Sequence, residues 1–141
     1  MQIVGLIPNF VLICSSCMVT SRSTKENKDW IGEALIFSGR PNPTWYIDKV
    51  TSKRLEEIWA SLEPFPGEIP SPPVLGYRGF ILKDTTSNRE WFAYGGVVLL
   101  KEGGISKSRL DRELRFERLV LETAPKGMLP VSFFKDYFNK D

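Results

Sequence analysis

The chain has 141 residues, of which 42% are hydrophobic, and its 19 basic and 17 acidic residues leave a net charge of +2. This composition is typical of a folded domain rather than a disordered chain, and the small net charge argues against nucleic-acid binding. The sequence contains no histidine, which excludes histidine-dependent triads and zinc hydrolases. Its two cysteines, Cys14 and Cys17, lie near the N-terminus, so disulfides cannot cross-link the main domain.

Residues 1–20 form an uncharged, mostly apolar segment, and residues 21–29 form a polar one. This order predicts an export signal followed by a tether. The stretch Cys14-Ser15-Ser16-Cys17 resembles the lipidation box of bacterial lipoproteins, with Cys17 as the lipidated residue. We therefore expect an exported or envelope protein with a membrane tether. A misassigned chain start, and with it a cytoplasmic protein, is the alternative, because Cys14 departs from the box and no basic residue precedes the apolar run.

The pattern of residues 31–37 predicts a first strand, and Ser-Gly-Arg-Pro-Asn-Pro-Thr-Trp follows at 38–45. Two prolines and Gly39 restrict the backbone of this stretch to a stiff, shaped loop. Such a loop either presents Arg40 and Asn42 to a ligand or turns a corner and anchors Trp45 in the core.

A helix capped by Thr51 or Ser52 and ending near Glu63 is predicted next, because apolar residues recur at helical spacing: Leu55, Ile58, Trp59 and Leu62. Five prolines between 64 and 73 predict an extended connector. Within it, Pro70-Ser71-Pro72-Pro73 has the P-x-x-P spacing of ligands for aromatic-lined grooves, although a plain connector is the favoured interpretation.

A strand over 75–83, a turn over 84–89 and a strand over 91–100 predict an antiparallel hairpin, with a bulge or bend at Gly95-Gly96. After Gly103-Gly104 we expect a helix that is capped by Ser108 and Asp111 and ends by Pro125. Acidic residues such as Glu117 interleave with basic ones along it, which predicts a solvated face.

The predicted fold is therefore α+β, with a small antiparallel sheet of about three strands and two helices packed on it, in a single domain over residues 30–141. Four aromatic residues near the C-terminus are spaced to share one side of a helix: Phe133, Phe134, Tyr137 and Phe138. They either pack onto the sheet or form a patch that binds a partner.

The stretch from Ile36 to Trp45, with its SGRPNPTW signature, and the later LGYRGF signature of residues 75–80 resemble a family of small proteins with no known activity. The resemblance also includes Tyr94 to Val98 and Leu121 to Ala124, and it covers most of residues 34–124. It implies a compact domain and gives no mechanism.

Five residues are candidates for ligand binding: Arg40, Asn42, Trp45, Tyr77 and Arg78. Guanidinium groups hold carboxylates or phosphates in bidentate fashion, an amide adds a donor and an acceptor, and aromatic rings supply a stacking wall. An extended peptide, a glycan or a small anion would suit them. The alternative is structural: the two arginines tie loops together and Trp45 lies in the core.

The leading hypothesis is a non-catalytic binding module with its recognition loop at 38–45. A small hydrolase or lyase would have to use carboxylates such as Glu33, Asp48 or Asp84 with Tyr77 as the proton donor. A subunit or inhibitor that acts through its aromatic tail is a third hypothesis. The sequence predicts no metal, no cofactor and no catalytic residue, and it leaves the oligomeric state open.

Overall fold

The computed structural model of the protein describes residues 30–139 and Gly5. These residues form a seven-stranded antiparallel sheet and three helices, so the predicted sheet of about three strands with two helices is wrong. The strands are β1 (Trp30–Ala34), β2 (Thr44–Ile47), β3 (Glu63–Pro64), β4 (Phe80–Asp84), β5 (Arg89–Tyr94), β6 (Val97–Glu102) and β7 (Ile105–Leu110). The helices are α1 (Lys49–Ser61), α2 (Arg115–Thr123) and α3 (Val131–Phe138). Across the sheet the strand order is β2-β1-β4-β5-β6-β7-β3.

Two glycine pairs account for two of the four missed strands, β6 and β7. Gly95 and Gly96 have φ angles of 64° and 79°, and they connect β5 to β6 directly, because Tyr94 pairs with Val97. Adjacent residues with positive φ form the tight hairpin turn that matches the twist of a sheet. The predicted single strand over 91–100 with a central bulge is therefore two strands.

Gly103 and Gly104 make the same kind of turn, with φ angles of 56° and 78°. The chain after them pairs with β6 as strand β7, so the predicted start of the helix near Ser108 is wrong. Asp111 does cap a helix, but the helix is α2, which begins four residues later. Its buried carboxylate accepts hydrogen bonds from the backbone N–H of Arg115 (3.1 Å) and of Phe116 (2.8 Å).

Helix α1 is present where the sequence predicts a helix, and its cap is Asp48 rather than Thr51 or Ser52. The Asp48 carboxylate accepts a hydrogen bond from the backbone N–H of Thr51 at 2.7 Å, and this bond lowers the pKa of Asp48. The predicted strand over 75–83 begins only at Phe80, because Gly76 and Gly79 adopt positive φ angles of 86° and 112° that interrupt extended backbone.

The core lies on one face of the sheet, and all three helices pack on that face. Trp91 of β5 contacts Trp59 of α1 at 5.1 Å and Phe116 of α2 at 5.7 Å between ring centroids. Phe80 of β4 stacks on Phe134 of α3 at 6.0 Å. Phe80 pairs with Ala93, two residues from Trp91, so Phe80 and Trp91 point to the same face.

The predicted export signal over 1–20, the tether over 21–29 and Cys17 lie outside the described residues, apart from Gly5. Among the residues that the structure does describe, no helix combines the length and the apolar composition needed to cross a membrane.

Candidate functional site

Asn42 organises the loop that joins β1 to β2. Its side-chain Oδ1 accepts hydrogen bonds from the backbone N–H groups of Ile36 (3.0 Å) and Phe37 (2.9 Å). Its Nδ2 donates to Oε1 of Glu33 at 3.2 Å. The oxygen and the nitrogen of the Asn42 amide therefore both form hydrogen bonds inside the loop. The oxygen serves as the acceptor for two backbone N–H groups that are not paired in a regular strand or helix.

Arg40 and Arg78 come together at Phe37. The Arg40 guanidinium carbon lies 3.5 Å from the centre of the Phe37 ring, and Nη2 of Arg78 donates to the Phe37 carbonyl oxygen at 2.6 Å. Arg40 is exposed and Arg78 is half-buried. Nε of Arg78 is buried and has no hydrogen-bond acceptor among the described residues.

Trp45 lies in the core rather than on a ligand-facing wall. It is 5% exposed, and its ring meets Phe80 edge-on at 6.2 Å between centroids. Its indole Nε1 donates to Oγ1 of Thr123 at 2.8 Å, which ties β2 to the last residue of α2.

Tyr77 also points inward, to Glu117 of α2. The Tyr77 hydroxyl donates to Oε2 of Glu117 at 2.6 Å, and Tyr137 of α3 donates to Oε1 at 3.2 Å. The backbone N–H of Gly96 adds a third, longer bond of 3.3 Å to Oε1. Glu117 is 1% exposed, so the solvated face predicted for this residue is wrong.

Burial controls the protonation of this cluster. Desolvation raises the pKa of Glu117, against the opposing effect of the two phenol donors. Burial and the neighbouring Glu117 carboxylate also raise the pKa of Tyr77 and of Tyr137 far above the ordinary value. Both phenols therefore keep their protons and act as hydrogen-bond donors at neutral pH.

The carboxylates named for a hydrolase or lyase lie in different places. Glu33 is bonded to Asn42 in the loop, Asp48 caps α1, and Asp84 sits at the end of β4. The Tyr77 hydroxyl donates its hydrogen bond to Glu117 and not to any of these three carboxylates.

Asp84 is held by its own turn and by Arg89. Its carboxylate accepts hydrogen bonds from the Thr86 N–H and hydroxyl, the Ser87 hydroxyl and Nη2 of Arg89, the last at 2.9 Å. Burial alone would raise the pKa of Asp84, but Arg89 and these donors hold it well below its ordinary value. Arg89 also pairs with Glu56 at 2.6 Å, so the turn over 84–89 is fastened to α1.

The aromatic tail forms α3 and mostly packs inward. Phe134 and Phe138 are buried, and Nη2 of Arg118 donates to the Phe138 carbonyl at 2.8 Å. Phe133 is 37% exposed and Val131 is 78% exposed. The exposed side of α3 is thus smaller than the predicted four-residue patch.

A cavity of about 390 Å³ lies between the end of α1 and the start of α2. Acidic and basic side chains both line it, around an apolar floor that includes Leu62 and Leu110. Its lining contains three acidic residues, Glu63, Asp111 and Glu113, and two basic ones, Arg112 and Arg115, so the formal charges leave a balance of only −1 and do not mark an anion site. The described residues include no group of three histidine, cysteine, aspartate or glutamate side chains that could hold a metal ion.

Of the five candidate residues, three contact Phe37, namely Arg40, Asn42 and Arg78, whereas Trp45 and Tyr77 are buried in the core.

We expect Asn42→Ala to lower the free energy of unfolding by about 1–3 kcal/mol, because two backbone N–H groups lose their acceptor. Arg40→Ala should change it by less than about 0.5 kcal/mol, because Arg40 is exposed. Urea denaturation of the two variants checks both values. An equal loss of unfolding free energy in both variants would contradict the prediction that Asn42 holds the loop together and Arg40 does not.

Comparisons of the chain with protein-family models, with curated proteins and with solved structures find no match.

Proposed function

We propose that the protein is a non-catalytic binding module that holds an anionic group of its ligand with Arg40 and Arg78. The observation that carries the proposal is that both guanidinium groups contact one residue, Phe37, through its ring and through its carbonyl. These contacts place two cations at the same residue of a loop whose shape Asn42 maintains.

The chemistry of the two arginines favours a carboxylate or a phosphate. A guanidinium group presents several N–H donors in a fixed plane, and it binds planar or tetrahedral oxyanions through paired hydrogen bonds. Stacking on Phe37 restricts the rotamers of Arg40 before any ligand arrives.

The loop retains a positive balance. Glu33 is the acidic residue bonded within it, and this carboxylate already accepts a hydrogen bond from Asn42. The ligand class we propose is therefore a small anion, or an extended peptide or glycan that carries an acidic group. In the same proposal, the uncharged N-terminal segment directs the module to export or to the cell envelope.

Two observations support a role without catalysis. The acidic residues that sequence reasoning paired with Tyr77 lie apart from it and hold structural hydrogen bonds. The carboxylate that does contact Tyr77, that of Glu117, is almost completely buried, and hydrogen bonds from Tyr77 and Tyr137 occupy both of its oxygens.

The proposal is tested by titrating the ¹⁵N-labelled protein with inorganic phosphate and with an acidic peptide while the side-chain Nε–Hε signals of arginine are followed by NMR. We expect saturable shifts of the Arg40 and Arg78 signals. Arg40→Gln and Arg78→Gln should each weaken binding by about tenfold to a hundredfold, since one charge-assisted hydrogen bond is worth about 1.5–3 kcal/mol.

Arg54→Gln is the matched control, because it removes the same charge from an exposed position on α1. Thermal unfolding of each variant separates lost binding from lost structure. Two results would show general charge screening and overturn the proposal. One is that sodium chloride at the same ionic strength causes the same NMR shifts as phosphate. The other is that Arg54→Gln weakens binding as much as Arg40→Gln and Arg78→Gln do.

A further inference from the structure

Residues 70–75, which we call the proline segment, stand out from the surface of the domain. All six are exposed, in the order Pro-Ser-Pro-Pro-Val-Leu. The exposed fraction is 85% for Val74 and 75% for Leu75, the two highest values among the large exposed apolar residues apart from Val131. The chain from Ile69 to Tyr77 carries no charge.

The proline segment has no regular secondary structure before it bends. Residues 68–73 contain no turn or bend, whereas residues 74–76 form a bend that ends at Gly76 with a φ of 86°. Each proline has its φ fixed near the polyproline II value, and Ser71 and Pro72 each precede a proline, which biases them to the same region. These restraints favour a polyproline II conformation for the segment, with Val74 and Leu75 in the bend that follows it.

Both ends of this segment are attached to the domain. Pro70 packs against the tight turn between β5 and β6: a Cβ atom built on Gly95 would lie 2.9 Å from Cγ of Pro70. Beyond the tip, Tyr77 is buried and hydrogen-bonded to Glu117. The rigid body of the protein thus presents the segment, which reduces the conformational entropy that a partner must remove on binding.

Exposure of this composition is unusual for a solvated connector. Four consecutive apolar residues contact solvent here, Pro72 to Leu75, and exposed runs of this length are unfavourable unless they serve an interaction. The spacing of the prolines indicates what binds there, because grooves lined by aromatic side chains receive the ridges of a polyproline II strand.

We infer that the proline segment is a docking element for a protein partner with an aromatic-lined, largely uncharged groove that receives a polyproline II strand. Pro70, Pro72 and Pro73 supply the ridges, and Val74 with Leu75 fills an apolar pocket at the end of the groove. The proline segment includes none of the residues of the proposed Arg40 and Arg78 site, so either proposal stands or fails without the other.

The test titrates the full ¹⁵N-labelled chain with a panel of purified SH3, WW and EVH1 domains, whose grooves have this chemistry. We expect at least one domain to cause saturable amide shifts confined to residues 68–77 and to the Gly95 turn. The double variant Pro72→Ala, Pro73→Ala should weaken that binding by about tenfold, equivalent to about 1.4 kcal/mol.

Pro66→Ala is the matched control, because Pro66 is also exposed but lies outside the segment, and it should bind like the wild type. The inference is overturned if no domain binds at millimolar concentration, or if the double variant binds as well as the wild type. It is also overturned if sedimentation shows self-association that Val74→Ser with Leu75→Ser abolishes, since the segment would then contact a second copy of this chain.

Discussion

We expect Trp91→Ala to lower the free energy of unfolding by about 3–5 kcal/mol. Trp91 is 1% exposed and lies where α1 and α2 meet the sheet. Its ring contacts Trp30 at 5.7 Å, Trp59 at 5.1 Å and Phe116 at 5.7 Å between centroids. Removing the indole would leave a cavity that rigid neighbours in three elements cannot fill, and the loss is a large share of the stability of a typical domain.

Trp91→Phe is the matched variant, and it should lower the free energy of unfolding by much less than Trp91→Ala does. The indole Nε1 is buried and has no acceptor in the part of the chain that the structure describes. Phenylalanine keeps an aromatic ring between the helices and the sheet and removes this unsatisfied donor, which offsets part of the lost volume. Chemical denaturation of the wild type and both variants gives the two differences. A Phe variant as unstable as the Ala variant would contradict this prediction, because it would mean that a smaller aromatic ring does not fill the site.

Glu117 should make the stability of the folded protein depend on pH. Because burial raises the pKa of Glu117, the folded protein binds this proton more tightly than the unfolded chain does. The stability that the group contributes is therefore complete below its unfolded pKa of about 4.3, and it is lost as the pH rises through the raised folded pKa. We expect wild-type stability to fall relative to Glu117→Gln over this range, by at most about 1.4 kcal/mol per pH unit for one proton.

The difference between the two proteins isolates Glu117 because the other titrating groups are common to both. Asp84, for example, has a lowered pKa and loses its stabilising effect at low pH, but it does so equally in the variant. Asp111, whose negative charge contributes to the raised pKa of Glu117, also remains in place. Urea denaturation of both proteins at a series of pH values from 4 to 8 measures how the difference in their free energies of unfolding changes with pH. A difference that stays constant, or that grows in favour of the wild type with rising pH, would show that the folded pKa of Glu117 is not raised.

Helix α1 could be predicted because local sequence determines it. Leu55 and Trp59 recur at helical spacing and are buried, and no glycine or proline interrupts the stretch. The hairpins were missed for a chemical reason that is visible in the sequence. Gly95-Gly96 and Gly103-Gly104 each stand between apolar, β-branched or alternating residues, which is the signature of a two-residue turn rather than of a bulge.

The site was less predictable because its contacts join distant parts of the chain. The loop geometry singled out residues 38–45, but no local pattern shows that Arg78 reaches the Phe37 carbonyl. Glu117 was missed because it alternates with basic residues along α2 and resembles a solvated charge. Its burial depends on Tyr77 and Tyr137, which lie 40 and 20 residues away along the chain.

The strand order also has a consequence for how the protein folds. Strands β4 to β7 form a meander whose neighbours are joined by short turns, so their pairing closes only small loops. Pairing β1 with β4 must instead close residues 35–79, a stretch that includes all of α1 and the proline segment. Because loop closure is paid for in entropy before native contacts form, the meander can assemble first, and β1 and β2 extend the sheet afterwards.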